Sequence, residues 1–216
     1  GWYKKTFKVS PENKEKITSI IFDGVYRNSQ VWINGHYLGK RPNGYIGFQY
    51  DLSPYLNYGD KINEIIVKVD NSKQPNSRWY SGSGIFRNVW LKTTNKLYVD
   101  QWGTYITTSK VTAQTASVHI ETTLKNRYNS SKSAVVTTTI FKNYTKITSA
   151  TQNVTIAANA SQVQNQDIIV KNPVLWSVEK PEQYTAVTTI SIESTIIDEY
   201  KTNFGIRNFK FDLTKG

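Results

Sequence analysis

Between Ser29 and Gly39 two short apolar runs flank Asn34-Gly35, and no other local feature constrains the fold as tightly. A type I′ turn needs positive φ at both central residues. Asn-Gly meets that demand best, so Ser29 to Ile33 and His36 to Gly39 are expected as the arms of a tight antiparallel hairpin. The period-two texture of those arms recurs along the chain. In Asn63 to Asp70, Ile65, Val67 and Val69 alternate with Ile66, Lys68 and Asp70, and farther on Val118, Ile120, Thr122 and Leu124 share one face while His119 and Glu121 share the other. Further strands are expected at residues 2 to 9, 18 to 22, 45 to 51, 133 to 142, 150 to 157, 163 to 170 and 186 to 192. Ser53-Pro54-Tyr55-Leu56 reads as one helical turn with Ser53 as N-cap and Pro54 at the first position.

A chain of 216 residues exceeds one sandwich of about 100 residues and suits two all-β domains. Hydrophobic residues make up 38% and aromatics 13%, enough for packed cores, and the abundance of Thr, Val, Ile and Tyr favours strands over helices. From Leu97 onward the texture turns to Thr/Ser/Val-rich strands with polar turns, which places a boundary near residue 96. The formal charge is +11, from 27 Lys+Arg against 16 Asp+Glu. Its excess is spread over scattered lysines such as Lys4-Lys5, Lys14, Lys16, Lys61, Lys68 and Lys73. Tracking phosphates needs a continuous basic stripe, so no nucleic-acid partner is expected. The absence of cysteine excludes disulfides, zinc-thiolate sites and thiol nucleophiles. No run of 18 apolar residues or signal-type apolar segment occurs, so no membrane partner is expected of these residues.

The run from Asn76 to Leu91 places aromatic and basic chemistry on a glycine-hinged loop before an apolar strand. Trp79 and Tyr80 offer flat faces on which the C–H side of a sugar ring packs, while Asn76 and Arg78 carry donors suited to hydroxyls. These four are the candidate carbohydrate-binding residues. Gly82 and Gly84 supply backbone freedom, and Ile85, Phe86, Val89 and Trp90 read as core. Taken with Val31-Trp32-Ile33-Asn34-Gly35-His36-Tyr37-Leu38-Gly39 upstream and Phe204-Gly205-Ile206-Arg207 downstream, this run closely resembles the front end of glycoside hydrolase family 2, the family of β-galactosidases and β-glucuronidases.

The resemblance covers nearly the whole chain. It implies an all-β architecture: a galactose-binding-like jelly-roll sandwich over residues 1–96 lacking its early strands, an immunoglobulin-like β-sandwich over 97–203, and a connector over 204–216 leading to a TIM barrel outside the chain. It further implies the non-catalytic region of an exo-β-glycosidase, a β-galactosidase before other specificities, with both catalytic glutamates on the barrel. The implied partners are a terminal β-galactoside and the barrel itself. Under the resemblance Arg87 braces a domain interface, and Asn76, Arg78, Trp79 and Tyr80 either line the mouth of the glycone pocket or pack against the barrel. The missing early strands lead to an expected open sheet edge, or a homo-oligomer that covers it. A bacterial secreted or cell-surface location is expected ahead of a cytoplasmic one.

Other chemistries find little footing. His36, after a hairpin turn, and His119, on an outer strand face, read as surface residues with no convergent ligands, so neither a metal nor another cofactor is expected. Gly82-Ser83-Gly84 lacks the pattern of a nucleophile elbow. Glycoside hydrolysis needs two facing carboxylates, whereas Asp23, Asp51, Asp60 and Asp70 fall at turns and strand ends, and Glu179 and Glu182 bracket Pro181 in a loop. Sequons at Asn129, Asn143, Asn153 and Asn159 have a chance origin in a chain this rich in Asn, Ser and Thr. Two other readings stay open: a stand-alone carbohydrate-binding or adhesin module, and a scaffold that only buttresses its neighbour.

Overall fold

A computed structural model of the chain describes residues 1–73, 81–209 and 214. The described residues are almost wholly β, with single 3₁₀ turns at Pro11–Asn13 and Ser53–Tyr55. The chain divides into two compact units, Gly1–Asn95 and Lys96–Gly216.

The first unit contains β1 (Trp2–Phe7), β2 (Ile17–Phe22), β3 (Val25–Tyr26), β4 (Ser29–Ile33), β5 (His36–Arg41), β6 (Phe48–Asp51), β7 (Asn63–Lys68), β8 (Gly84–Ile85) and β9 (Val89–Thr94). They form antiparallel sheets in the orders β1-β7-β4-β5 and β6-β2-β9, with β3-β8 as a short ribbon. The alternation in β7 does what its sequence demands: Asn63, Ile65 and Val67 turn inward while Glu64, Ile66 and Lys68 stay half-exposed. Ile65 and Val67 join Val31 and Ile33 of β4, Ile20 and Phe22 of β2 and Leu52 in one apolar cluster. Phe22 stacks on Phe48 with ring centroids 4.9 Å apart, and burying such a side chain contributes about 1.5–3 kcal/mol.

The hairpin forms as expected, with φ of 48° at Asn34 and 82° at Gly35. Asn34 does more than tolerate that backbone. Its Oδ1 accepts from the Glu64 amide at 2.8 Å, and its Nδ2 donates to Tyr55 O at 2.7 Å and to Asn63 Oδ1 at 2.8 Å. Asn63, fully buried, also accepts from the Asn57 amide and donates to its carbonyl. Two asparagines thus pin the hairpin tip to β7 and to the following loop. Ser53 is not the N-cap expected from sequence. Leu52 holds that position, Asp51 Oδ1 accepts the Ser53 amide, and Ser53 Oγ accepts from the Thr18 amide at 2.8 Å.

A second correction concerns Phe86, Val89 and Trp90. They are exposed by 52%, 42% and 53%, not core. β1 and β9 are the edge strands of their sheets, and the sandwich is open between them along an apolar groove of about 460 Å³ that includes Tyr3, Val89, Trp90 and Leu91. Period-two reading cannot distinguish a strand facing a closed core from one facing an open edge. Lys4 and Lys5 on β1 are the sort of charges that discourage pairing at such an edge.

The second unit contains β10 (Leu97–Ser109), β11 (Thr115–Asn126), β12 (Lys132–Lys142), β13 (Thr145–Ile156), β14 (Ser161–Lys171), β15 (Tyr184–Ile192) and β16 (Thr195–Phe204). A sheet β10-β11-β14 faces a sheet β13-β12-β15-β16. β13 begins at Thr145, five residues before the start expected from sequence. The β12–β13 turn uses Asn143-Tyr144, both at positive φ, and the β15–β16 turn uses Glu193-Ser194 likewise. Turns without glycine gave no signal.

The interior of this sandwich is not uniformly apolar. One cluster gathers around Val118, Ile120, Ile140 and Ile168, and another around Leu97, Leu124, Val136 and Ile190. Between them lies a polar layer supplied by four strands: Thr122 of β11, Gln164 and Gln166 of β14, Thr138 of β12 and Thr188 of β15, all buried. Thr188 and Thr138 hydroxyls meet at 3.0 Å, Thr138 donates to Gln166 Oε1 at 2.6 Å, and Gln166 Nε2 reaches the carbonyls of Val136 and Ala150 at 3.3 Å each. Thr122 Oγ1 is the exception, buried with no partner among the described residues. An unmet buried hydroxyl costs about 1–3 kcal/mol, so Thr122→Val is expected to stabilise the second unit by about 1 kcal/mol. Urea titration followed by circular dichroism checks this, and a lowered midpoint would contradict it.

Candidate functional site

Asn76, Arg78, Trp79 and Tyr80 lie outside the described residues, but both stems of the loop that carries them are described. The loop leaves β7 and returns at β8. On the outgoing stem Val69 N donates to Gly1 O at 2.9 Å, and Asp70 N donates to Arg27 O at 3.1 Å. Asn28 Nδ2 donates to Asp70 O at 3.1 Å, and Arg27 Nη2 reaches Lys73 O at 3.3 Å. Asn71 Nδ2 donates to Ser83 Oγ at 2.8 Å, tying the outgoing stem to the returning one. Such cross-bracing fixes where the loop starts and ends.

The returning stem needs glycine. Gly84 has φ of 120°, pairs with Tyr26 across the β3–β8 ribbon, and an added Cβ would sit 2.2 Å from the Tyr3 hydroxyl. A side chain would be excluded on both counts. Tyr26 is held from the other side by Tyr45, centroids 5.3 Å apart, with the Arg27 guanidinium 5.7 Å from the Tyr26 ring centre.

Against this base lies a cavity of about 320 Å³, lined by Arg27, Asn28, Gln30, Lys40, Asp70, Ser72 and Lys73. Three cations and two amides face one carboxylate. The Ser72 hydroxyl at 2.7 Å and amide at 3.1 Å bond to Asp70 Oδ1. Those bonds, aided by Lys68 and the N-terminal amine, hold the Asp70 carboxyl below its usual range, so it remains an acceptor at neutral pH. Arg27 Nε is buried with no partner among the described residues. A wall of donors around one fixed acceptor suits hydroxyl-rich or carboxylated sugars. Arg27 and Asn28 were passed over in the sequence reading, although Tyr26-Arg27-Asn28 is a polar interruption between apolar strands and was the available signal.

The remaining candidates take other roles. His36 is exposed and stacks on Tyr55 at 4.5 Å. His119 Nδ1 lies 2.8 Å from Asp167 Oδ1 across β11 and β14. Among the described residues no group of three or more His, Asp or Glu is placed to hold a metal ion. Asp23 accepts from Trp90 Nε1 at 2.8 Å, Asp51 serves Ser53, and Glu182 pairs with Lys142. The loop-base cavity contains a single carboxylate, Asp70.

Fold and strand order define the class as a jelly-roll sandwich followed by an immunoglobulin-like one. A family model for the sugar binding domain of glycosyl hydrolases family 2 matches residues 1–95, and a second family 2 model matches residues 97–207. The chain belongs to glycosyl hydrolases family 2. It is similar to a β-galactosidase of Bacteroides ovatus, 45% identical over 217 residues, and to a putative β-glucuronidase of Formosa agariphila, 41% identical over 216 residues. Both matches cover 100% of the chain but only 25% and 20% of those relatives. Among solved structures, a family 2 member from Bacteroides cellulosilyticus superposes with a TM-score of 0.95 at 34% identity, covering all of this chain and 30% of that one.

Proposed function

We propose that this chain is the non-catalytic N-terminal region of an exo-β-glycosidase acting on terminal β-galactosides, and that the loop from Asn76 to Tyr80 lines the mouth of its glycone pocket. The carrying observation is the tandem of family 2 models over residues 1–95 and 97–207, at 45% identity to a β-galactosidase of which the chain spans a quarter. Galactoside preference rests on that relative, and the β-glucuronidase at 41% identity makes uronides the comparison to run. The braced stems and the donor-rich cavity at the loop base support the pocket role.

The chemistry also supports a division of labour. An oxocarbenium-like transition state needs a proton donor and a nucleophile or base on opposite sides of one bond, and the carboxylates of the loop base and its neighbours are singly placed and already paired. The 216-residue chain is therefore expected to turn over none of nitrophenyl β-galactoside, β-glucuronide or β-mannoside, while the full-length protein hydrolyses the galactoside fastest. In the full-length protein Trp79→Ala is expected to lower kcat/KM about ten-fold without unfolding, the value of about 1.4 kcal/mol of stacking. Turnover by the chain alone after repurification would overturn the proposal, and an unchanged kcat/KM would remove Trp79 from the pocket.

A further inference from the structure

The outer face of the β13-β12-β15-β16 sheet carries a hollow of about 700 Å³, within the size range of small-ligand sites. Phe141 and Val187 contribute apolar surface to it. Tyr144 stands at its rim, on the β12–β13 turn, with 101% relative exposure. Its backbone is at φ of 66°, after Asn143 at 47°. The second position of such a turn favours glycine, and a bulky side chain there is an outlier. Strain kept at an exposed tyrosine points to a use for its ring.

The polar lining of the hollow keeps hydrogen-bonding capacity in its amides. Asn203 Oδ1 accepts the Thr185 hydroxyl at 2.9 Å, a bond that orients the amide without using its Nδ2 donor. The side-chain amides of Asn143 and Gln183 make no hydrogen bond among the described residues. Each amide presents a donor beside an acceptor, the pattern that matches vicinal hydroxyls, and an aromatic face packs against sugar C–H groups. The two charges in the hollow, Glu199 and Lys201, pair with each other at 3.0 Å. The lining therefore carries no net charge, which favours a neutral ligand over a carboxylated or sulfated one.

We propose that this hollow is a second carbohydrate site, taking a neutral oligosaccharide that stacks on Tyr144 and is held by Asn143, Gln183 and Asn203. It goes beyond the pocket role given to the first unit and does not depend on it. The 216-residue chain is titrated by calorimetry and saturation-transfer NMR with cellotetraose, xylotetraose, β-1,4-galactotetraose and mannotetraose, with glucuronic acid as the charged probe. At least one tetrasaccharide is expected to bind with Kd on the order of 1 mM. Tyr144→Gly relieves the backbone and removes the ring, so its melting temperature should be equal to or above that of the parent while binding weakens about ten-fold or more. Tyr144→Phe should stay within about two-fold of the parent, and Asn203→Ala should weaken binding. Three results would overturn the proposal: no tetrasaccharide bound up to about 20 mM, binding indifferent to Tyr144→Gly and Asn203→Ala, or binding of glucuronic acid alone.

Discussion

Replacing Asn126 by aspartate is expected to destabilise the second unit by about 3–5 kcal/mol, the cost of leaving a buried charge uncompensated. Asn126 is fully buried at the end of β11. Its Nδ2 donates to the carbonyls of Ser130, Ile156 and Ala157 at 3.0, 3.1 and 2.9 Å, and its Oδ1 accepts from the Tyr128 amide at 2.9 Å. One side chain thereby joins the β11–β12 connection to the end of β13. The substitution is nearly isosteric but removes every donor, setting a carboxylate oxygen against three carbonyl oxygens. The neutral acid regains one donor, so the deficit should shrink as the pH is lowered through the raised pKa of the introduced carboxyl. Asn126→Ala, which strands the same carbonyls without adding a charge, should cost less, about 2–3 kcal/mol. Denaturant titrations of both variants at neutral and mildly acidic pH check this. A loss below about 1 kcal/mol for the aspartate variant would show that the carbonyls find other donors.

Asn126 also marks where sequence reading stops. Its neighbours Ile120, Thr122 and Leu124 announce a strand by alternation, yet nothing local tells that Asn126 bonds to residues 4 to 31 positions away. The case of Asn34 is similar. Its role in the turn was legible because positive φ is a local demand, whereas its bonds to Glu64, Tyr55 and Asn63 depend on which strands pair. Phe86, Val89 and Trp90 were misjudged for the same reason: burial belongs to the assembled sheets, and β9 is an edge. The all-β class, the jelly-roll and immunoglobulin-like pair and the family were legible because period, turn chemistry and short motifs are properties of contiguous residues. Of the candidate site, Asp70 was seen only as a strand end, and Arg27 and Lys73 became part of it once β3 and the loop stem were brought together.

The polar layer in the second sandwich yields the other large expected effect, and its sign depends on how many residues are changed. Gln166→Leu removes the acceptor of the Thr138 hydroxyl and the donor to two carbonyls, so a loss of about 2–3 kcal/mol is expected. Adding Thr138→Val and Thr188→Val removes the stranded hydroxyls as well, and apolar groups of similar shape can replace a satisfied polar set at little cost. The triple variant is therefore expected within about 1 kcal/mol of the parent, an interaction energy of the size seen for residues sharing one network. The cost should appear in specificity. In the parent, a two-residue slip of β12 against β15 would keep the inward face but part Thr138 from Thr188, now directly opposed, and set its hydroxyl against Ile190 or Ala186. With the layer removed, that penalty falls. The triple variant should accordingly unfold with a smaller denaturant slope and show broader amide resonances for β12 and β15 than the parent. A triple variant as unstable as the sum of its single changes would mean that the three side chains act separately and that the layer is not a network.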